Sequence, residues 1–129
     1  TPFFQIGESK YGKPVLDRVL HPELPLDEAA KCALVSMDST LKSNLSVGLP
    51  LDLMVYEAGA LRSDRMICID EHNPYFRMIR ETWGQRLREV FEAIDDPQWN
   101  GGSAEHPLMT PAGRYELLRK ISHPGEKIV

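Results

Sequence analysis

The order of apolar patterns along the chain is the feature that most restricts its fold. Apolar residues recur at helical spacing over residues 26–41 and again over 76–94, and two short apolar runs, 49–56 and 65–70, lie between them. The connection between the two runs is short enough for a hairpin, so we predict that they pair as antiparallel strands. A doubly wound parallel sheet would need strands and helices in strict alternation. The order therefore predicts an α+β fold with helices packed on a largely antiparallel sheet.

Two shorter elements are predicted before the first long helix. The aromatic and β-branched run Phe3–Ile6 predicts a strand that ends at Gly7. Pro14 suits the first turn of a helix, where its missing N–H has no intrahelical acceptor, and the apolar spacing extends that helix to about His21.

The last long helix is predicted to start at Asn73 and Pro74, a capping residue followed by a first-turn proline. Its buried face is predicted to be apolar along its whole length and to comprise Phe76, Ile79, Trp83, Leu87, Val90, Phe91 and Ile94. The charged residues of the helix, Arg80 among them, are predicted to face water, and Gly84 is predicted to allow a close contact.

Composition narrows the range of functions. The chain has 129 residues, 42% of them apolar and 26% charged, with a net charge of −4, which excludes gross disorder and disfavours binding to nucleic-acid phosphates. No apolar run approaches the ~20 residues of a membrane span. Cys32 and Cys68 lie in apolar surroundings and are expected to be buried, reduced thiols of a cytoplasmic protein.

One short motif suggests a nucleotide site. Gly7–Lys13 matches the pattern G-x-x-x-x-G-K of a phosphate-binding loop. Pro14 follows where a Ser or Thr hydroxyl would hold Mg²⁺, so nucleotide binding is only a distant alternative. The four histidines do not pair at metal-binding spacing, and no metal or other cofactor is expected.

Three longer stretches are specific enough to suggest a family: Thr1–Pro14, Lys31–Leu41 and Ser43–Leu53. Together they resemble the C-terminal half of Anbu, a bacterial proteasome-related family that is similar to HslV and to proteasome β-subunits. The resemblance implies a four-layer αββα sandwich of the Ntn-hydrolase type, of which residues 1–100 would supply about half. Residues 101–129 would form a C-terminal extension with a short helix over residues 112–121.

The resemblance also implies a chemistry, peptide-bond hydrolysis by an N-terminal threonine. That nucleophile belongs to the family's N-terminal half, so Thr1 is expected to be an interior residue and the chain alone to be inactive. Supporting roles are implied for Glu8 or Ser9, in the turn that contacts the nucleophile's amine, and for Asp38 and Ser43, near the end of the second helix.

The implied partners follow from the same family. They are the missing N-terminal half, identical subunits in a ring, and an unfolded protein or peptide as substrate, with no nucleic acid and no membrane. Because this chain would lack the nucleophile, a non-catalytic assembly or binding module is the principal alternative.

Overall fold

Three helices and one β-hairpin make up the regular structure of the described residues. The computed structural model describes residues 2–7, 9–99, 105, 106 and 108. The elements in chain order are α1 (Lys13–Val19), α2 (Leu26–Ser43), β1 (Leu51–Val55), β2 (Arg65–Ile69) and α3 (Pro74–Ala93). The strands pair in antiparallel fashion with Leu53 opposite Ile67, which confirms the predicted hairpin and the α+β class.

The chain divides into two compact units, residues 1–89 and residues 90–129. The first unit contains α1, α2, the hairpin and most of α3. The predicted division at residue 100 stays a prediction.

The core of the first unit joins α2, the hairpin and α3. Its buried members are Leu34, Ile69, Phe76 and Ile79, and half-buried leucines of β1 pack against them. β1 alternates as expected for a strand with one buried face, because Leu51 and Leu53 turn inward while Asp52 and Met54 are exposed. Burying a side chain the size of Phe76 contributes about 1.5–3 kcal/mol.

Side chains near the helix ends stabilise α2 and α3. Asn73 caps α3 as predicted, since its Oδ1 accepts a hydrogen bond from the backbone N–H of Phe76 at 2.9 Å. In α2, Asp27 and Glu28 occupy the first turn and Lys42 the last, where each complements the helix dipole.

A close approach between α1 and α2 depends on the absence of a side chain at Gly12. Gly12 precedes α1 with right-handed helical φ and ψ and is buried. A Cβ built there would lie 2.8 Å from Thr40 Oγ1 and 3.0 Å from the backbone oxygen of Ser36, and would also meet Ser36 Oγ. The predicted contact at Gly84 is looser, because the atoms nearest to a Cβ built there lie at 3.7 and 3.8 Å and belong to the ends of long side chains.

The predicted strand Phe3–Ile6 is wrong. Within the described residues the sheet consists of β1 and β2 alone, so this segment has no strand with which to pair. Its apolar side chains Phe4 and Ile6 are fully exposed. A strand depends on hydrogen bonds to a neighbouring strand, and an apolar run alone does not provide them.

The buried face predicted for α3 is correct only at its beginning. Phe76 and Ile79 are buried and Trp83 is half-buried. The later residues of the predicted face are exposed, namely Leu87, Val90, Phe91 and Ile94. The apolar spacing of a helix shows which face could be buried, but only the neighbouring elements decide how far along the helix that burial extends.

The two cysteines differ in environment. Cys32 is buried in α2 as predicted, but Cys68 is exposed. Cys68 lies opposite the exposed Asp52 in the strand register, on the face of the hairpin that turns away from the core. The prediction for Cys68 was wrong because an apolar five-residue run does not indicate whether one face of its strand is covered or both.

The helix predicted over residues 112–121 lies outside the described residues. In the described part of the chain, no helix has the length and apolar character that crossing a bilayer requires.

Candidate functional site

Asp38, in the second half of α2, is a buried carboxylate with one unpaired oxygen among the described residues. Asp38 is fully buried and lies on the same helix face as the core residues Leu34 and Leu41, one turn away on either side. Its Oδ1 accepts a hydrogen bond from Nε of Arg80 at 3.1 Å. Its Oδ2 has no hydrogen-bond partner among the described residues. A buried carboxylate is tolerated only with compensating partners, so the pairing with Arg80 is central to this site.

Arg80 comes from α3 and connects Asp38 with the surface. Its guanidinium carbon lies 5.4 Å from the ring centre of Phe76, one helical turn earlier, within range of a cation–π contact. The side chain retains 43% of its exposure, compared with 1% for that of Asp38. The ion pair therefore extends from the interior to solvent.

Arg80 is exposed as predicted, but the prediction did not include its hydrogen bond to the buried Asp38. A signal for its role was present in the sequence, because Asp38 interrupts an apolar helical stripe and an acid in that place needs a partner. Arg80 follows the buried Ile79 directly, at the edge of the buried face of α3. The partner could not be chosen from the sequence, since α3 carries several other arginines.

The exposed end of Arg80 lines an open depression of about 440 Å³. The other lining residues are Glu71, His72, Arg77 and Glu81. Nε2 of His72 lies 3.4 Å from a carboxylate oxygen of Glu71. Two glutamates balance the two arginines, and Arg80 is already paired with Asp38, so the depression is not specialised for an anionic ligand.

The other predicted site residues are distributed over separate places. Ser43 is the last residue of α2 and is exposed. It lies five residues after Asp38, which in an α-helix corresponds to about 140° around the axis and about 7.5 Å along it. Ser9 is exposed before α1, and Glu8 lies outside the described residues. No hydrogen bond joins Asp38, Ser43 and Ser9 in the part of the chain that the structure describes.

The geometry of Gly7–Lys13 does not favour a phosphate-binding loop. The segment before it is not a strand, and Gly12 packs against α2. The ammonium group of Lys13 lies 2.7 Å from a carboxylate oxygen of Asp17, one turn later in α1. Among the described residues, no group of three or more His, Cys, Asp or Glu side chains could hold a metal ion.

Comparison with solved structures identifies relatives of the chain. Anbu, described as an ancestral beta-subunit, from Yersinia bercovieri is 55% identical with a TM-score of 0.71, over 74% of this chain and 41% of that one. Over its matched part, this chain is similar to Anbu. Anbu from Hyphomicrobium sp. strain MC1 is 49% identical with a TM-score of 0.70, over 72% of this chain and 40% of that one.

A third Anbu structure, a helical assembly of the complex from Pseudomonas aeruginosa, is 46% identical with a TM-score of 0.66. It covers 73% of this chain and 39% of its own. No protein-family model and no curated protein matches the sequence.

These similarities confirm the resemblance to Anbu, which is a proteasome-related subunit family with an Ntn-type fold. The chain spans about two fifths of the length of the Anbu chains that it matches. The supporting roles of Glu8, Ser9, Asp38 and Ser43 stay predictions.

Proposed function

We propose that this chain is one part of a proteasome-like threonine peptidase subunit, whose nucleophile lies in a segment outside the sequence. The observation that carries the proposal is the 55% identity to an Anbu chain of which this sequence covers only 41%. At that identity the matched part is expected to serve the same purpose in both proteins, and the remaining segment of the relative has no counterpart here.

The hairpin supports the same proposal. Met54 and Met66 are neighbours in the strand register, and both side chains are more than half exposed. A two-stranded sheet is marginally stable in water by itself, and larger sheets bury such faces against further layers. Additional strands and a second sheet from the segment outside this chain would cover the exposed face and extend the sheet.

In the proposed mechanism a threonine hydroxyl attacks the peptide carbonyl. The threonine's own α-amine or a lysine accepts the proton, and backbone N–H groups stabilise the oxyanion. Asp38 and Ser43 would orient the threonine, and Ser9 or Glu8 would contact its amine. All four are supporting residues, so the chain by itself is inactive in this proposal.

The proposed partners are the segment with the nucleophile, identical subunits and a peptide or unfolded protein substrate in the cytoplasm. A ring of subunits would enclose the sites. A second candidate is a non-catalytic assembly module, which the helical assembly of the Pseudomonas aeruginosa relative favours. In that role the exposed hairpin face would serve contacts between chains.

The test begins with the intact mass of the protein from its natural source, detected with an antibody against this chain. A mass near that of the Anbu relatives, with threonine at the mature N-terminus, is expected. The purified protein should then cleave a fluorogenic peptide, and substitution of its N-terminal threonine by alanine should abolish cleavage. A 129-residue product, or cleavage that survives this substitution, would contradict the peptidase and favour the assembly module.

A further inference from the structure

Two positively charged side chains lie close together where the last turn of α2 meets α3. Asp38 of α2 binds Arg80 of α3, and one turn later in both helices Lys42 lies beside Gly84. Nζ of Lys42 is 3.8 Å from a Cβ built on Gly84, and Nη1 of Arg88 is 3.7 Å from the same point. Because both distances start at one point, the two nitrogens are at most about 7.5 Å apart.

Neither of these two cations is neutralised by a direct partner. The side chains of Lys42 and Arg88 form no ion pair and no hydrogen bond with any of the described residues. The carboxylate of Glu89, which follows Arg88, attracts it only through charge. Both oxygens of Glu89 are already occupied, since Gln85 donates a hydrogen bond to one at 2.9 Å and Arg86 to the other at 2.7 Å.

The space between the two nitrogens suits a small anion. Like charges at this separation repel each other, and a negative group between them would turn the repulsion into attraction. A carboxylate or phosphate that binds one nitrogen through each of two oxygens, at about 2.8 Å per bond, spans a gap of this size. Gly84 has no side chain to compete for the space. Lys42 and Arg88 are both exposed, so an ion from outside the chain can reach them.

We propose that Lys42 and Arg88 form a binding site over Gly84 for an oxyanion, either a carboxylate or a phosphate group. The group has two possible sources, a free ion or an acidic side chain of a second copy of this chain. The chain has 19 acidic and 15 basic residues, so a second copy carries a surplus of carboxylates. The inference does not depend on the peptidase chemistry, and neither cation lines the depression beside Arg80.

Two independently solvated cations are the competing explanation. A lysine in the last turn of a helix already complements the helix dipole, so Lys42 has a reason to be there without any ligand. The two explanations differ in cooperation. In a shared site the loss of either cation weakens binding of the same ion, whereas separate cations attract anions weakly and without saturation.

Titration of the 129-residue chain with inorganic phosphate at constant ionic strength tests the site. Nuclear magnetic resonance of the ¹⁵N-labelled chain should show a saturable shift of the backbone amide signal of Gly84. Lys42→Gln and Arg88→Gln should each weaken phosphate binding about tenfold, because each removes a charge-assisted hydrogen bond. Arg86→Gln is the matched control. It removes an equal charge from the same helix, but its guanidinium already binds Glu89, so phosphate binding should remain.

Sedimentation velocity distinguishes the two sources of the anion. If a second copy supplies a carboxylate, both Lys42→Gln and added phosphate should shift the chain towards smaller species. Unchanged sedimentation together with phosphate binding identifies a free ion. Circular dichroism should show that all three variants fold, since the substituted residues are exposed. Absence of a saturable phosphate shift, binding that survives Lys42→Gln or Arg88→Gln, or an equal loss in Arg86→Gln would overturn the inference.

Discussion

Replacing Gly12, the N-cap residue of α1, by alanine should destabilise the protein. Gly12 has φ −93° and ψ −25°, a conformation that every residue adopts, so backbone strain does not enter. Glycine is preferred over alanine at an N-cap, and the larger part of the effect comes from lack of space. The new methyl group would lie 3.0 Å from the backbone oxygen of Ser36 and 2.8 Å from Thr40 Oγ1.

The magnitude follows from which atoms can move. The hydroxyl of Ser36 can rotate away, but its backbone oxygen belongs to the middle of α2 and cannot move without the helix. Relief therefore requires α1 to separate from α2, and overpacking of this kind typically costs about 1–3 kcal/mol. Gly84→Ala is the matched control. It lies inside α3 with its nearest contacts at 3.7 and 3.8 Å, so the gain in helix propensity should stabilise by up to about 1 kcal/mol.

Urea unfolding of the 129-residue chain, followed by circular dichroism, measures both variants. The transition midpoint should fall for Gly12→Ala and rise for Gly84→Ala, with similar slopes. A Gly12→Ala midpoint at or above that of the natural chain would refute the steric argument, and so would a decrease of equal size in both variants.

Three other substitutions test separate features. Phe76→Ala should lower the free energy of unfolding by about 3–5 kcal/mol, because it leaves a cavity in the core. Urea unfolding would show this as a large decrease in the urea concentration at the transition midpoint. Arg65→Ala should cost less than about 1 kcal/mol, with the difference shrinking in high salt, because both of its ion pairs are exposed. Partial desolvation and the nearby carboxylates, Asp52 foremost, raise the pKa of the Cys68 thiol. Alkylation of Cys68 at neutral pH should therefore be slower than that of free cysteine and should accelerate in Asp52→Asn, which mass spectrometry of the labelled peptide would detect.

Much of the fold could be predicted from local patterns. Residues 26–43 combine a long apolar stripe with acidic residues in the first turn, and the observed helix has the expected extent. The hairpin and the cap at Asn73 were predicted for equally local reasons, namely alternation and a side chain that binds a free N–H group. Phe3–Ile6 shows the limit, because a strand needs a partner that its own residues do not supply.

The candidate site was less predictable. Asp38 was singled out through the resemblance to Anbu, but its burial and its partner were not. Ser43 was grouped with it through the same resemblance, and the five positions that separate them correspond to about 140° around the helix axis. Arg80 was missed because its charge suggested exposure, and a long side chain can be partly exposed while one of its nitrogens binds a buried group.

The sequence by itself determined the type and order of the three helices and of the hairpin strands, since propensity, alternation and capping act between residues that are close along the chain. Only the tertiary structure decided which faces are covered, why position 12 cannot carry a side chain, and which arginine binds Asp38. Those outcomes depend on distances between residues far apart in sequence, such as the 42 positions that separate Asp38 from Arg80. Such distances are set when helices pack together, and no local pattern encodes them.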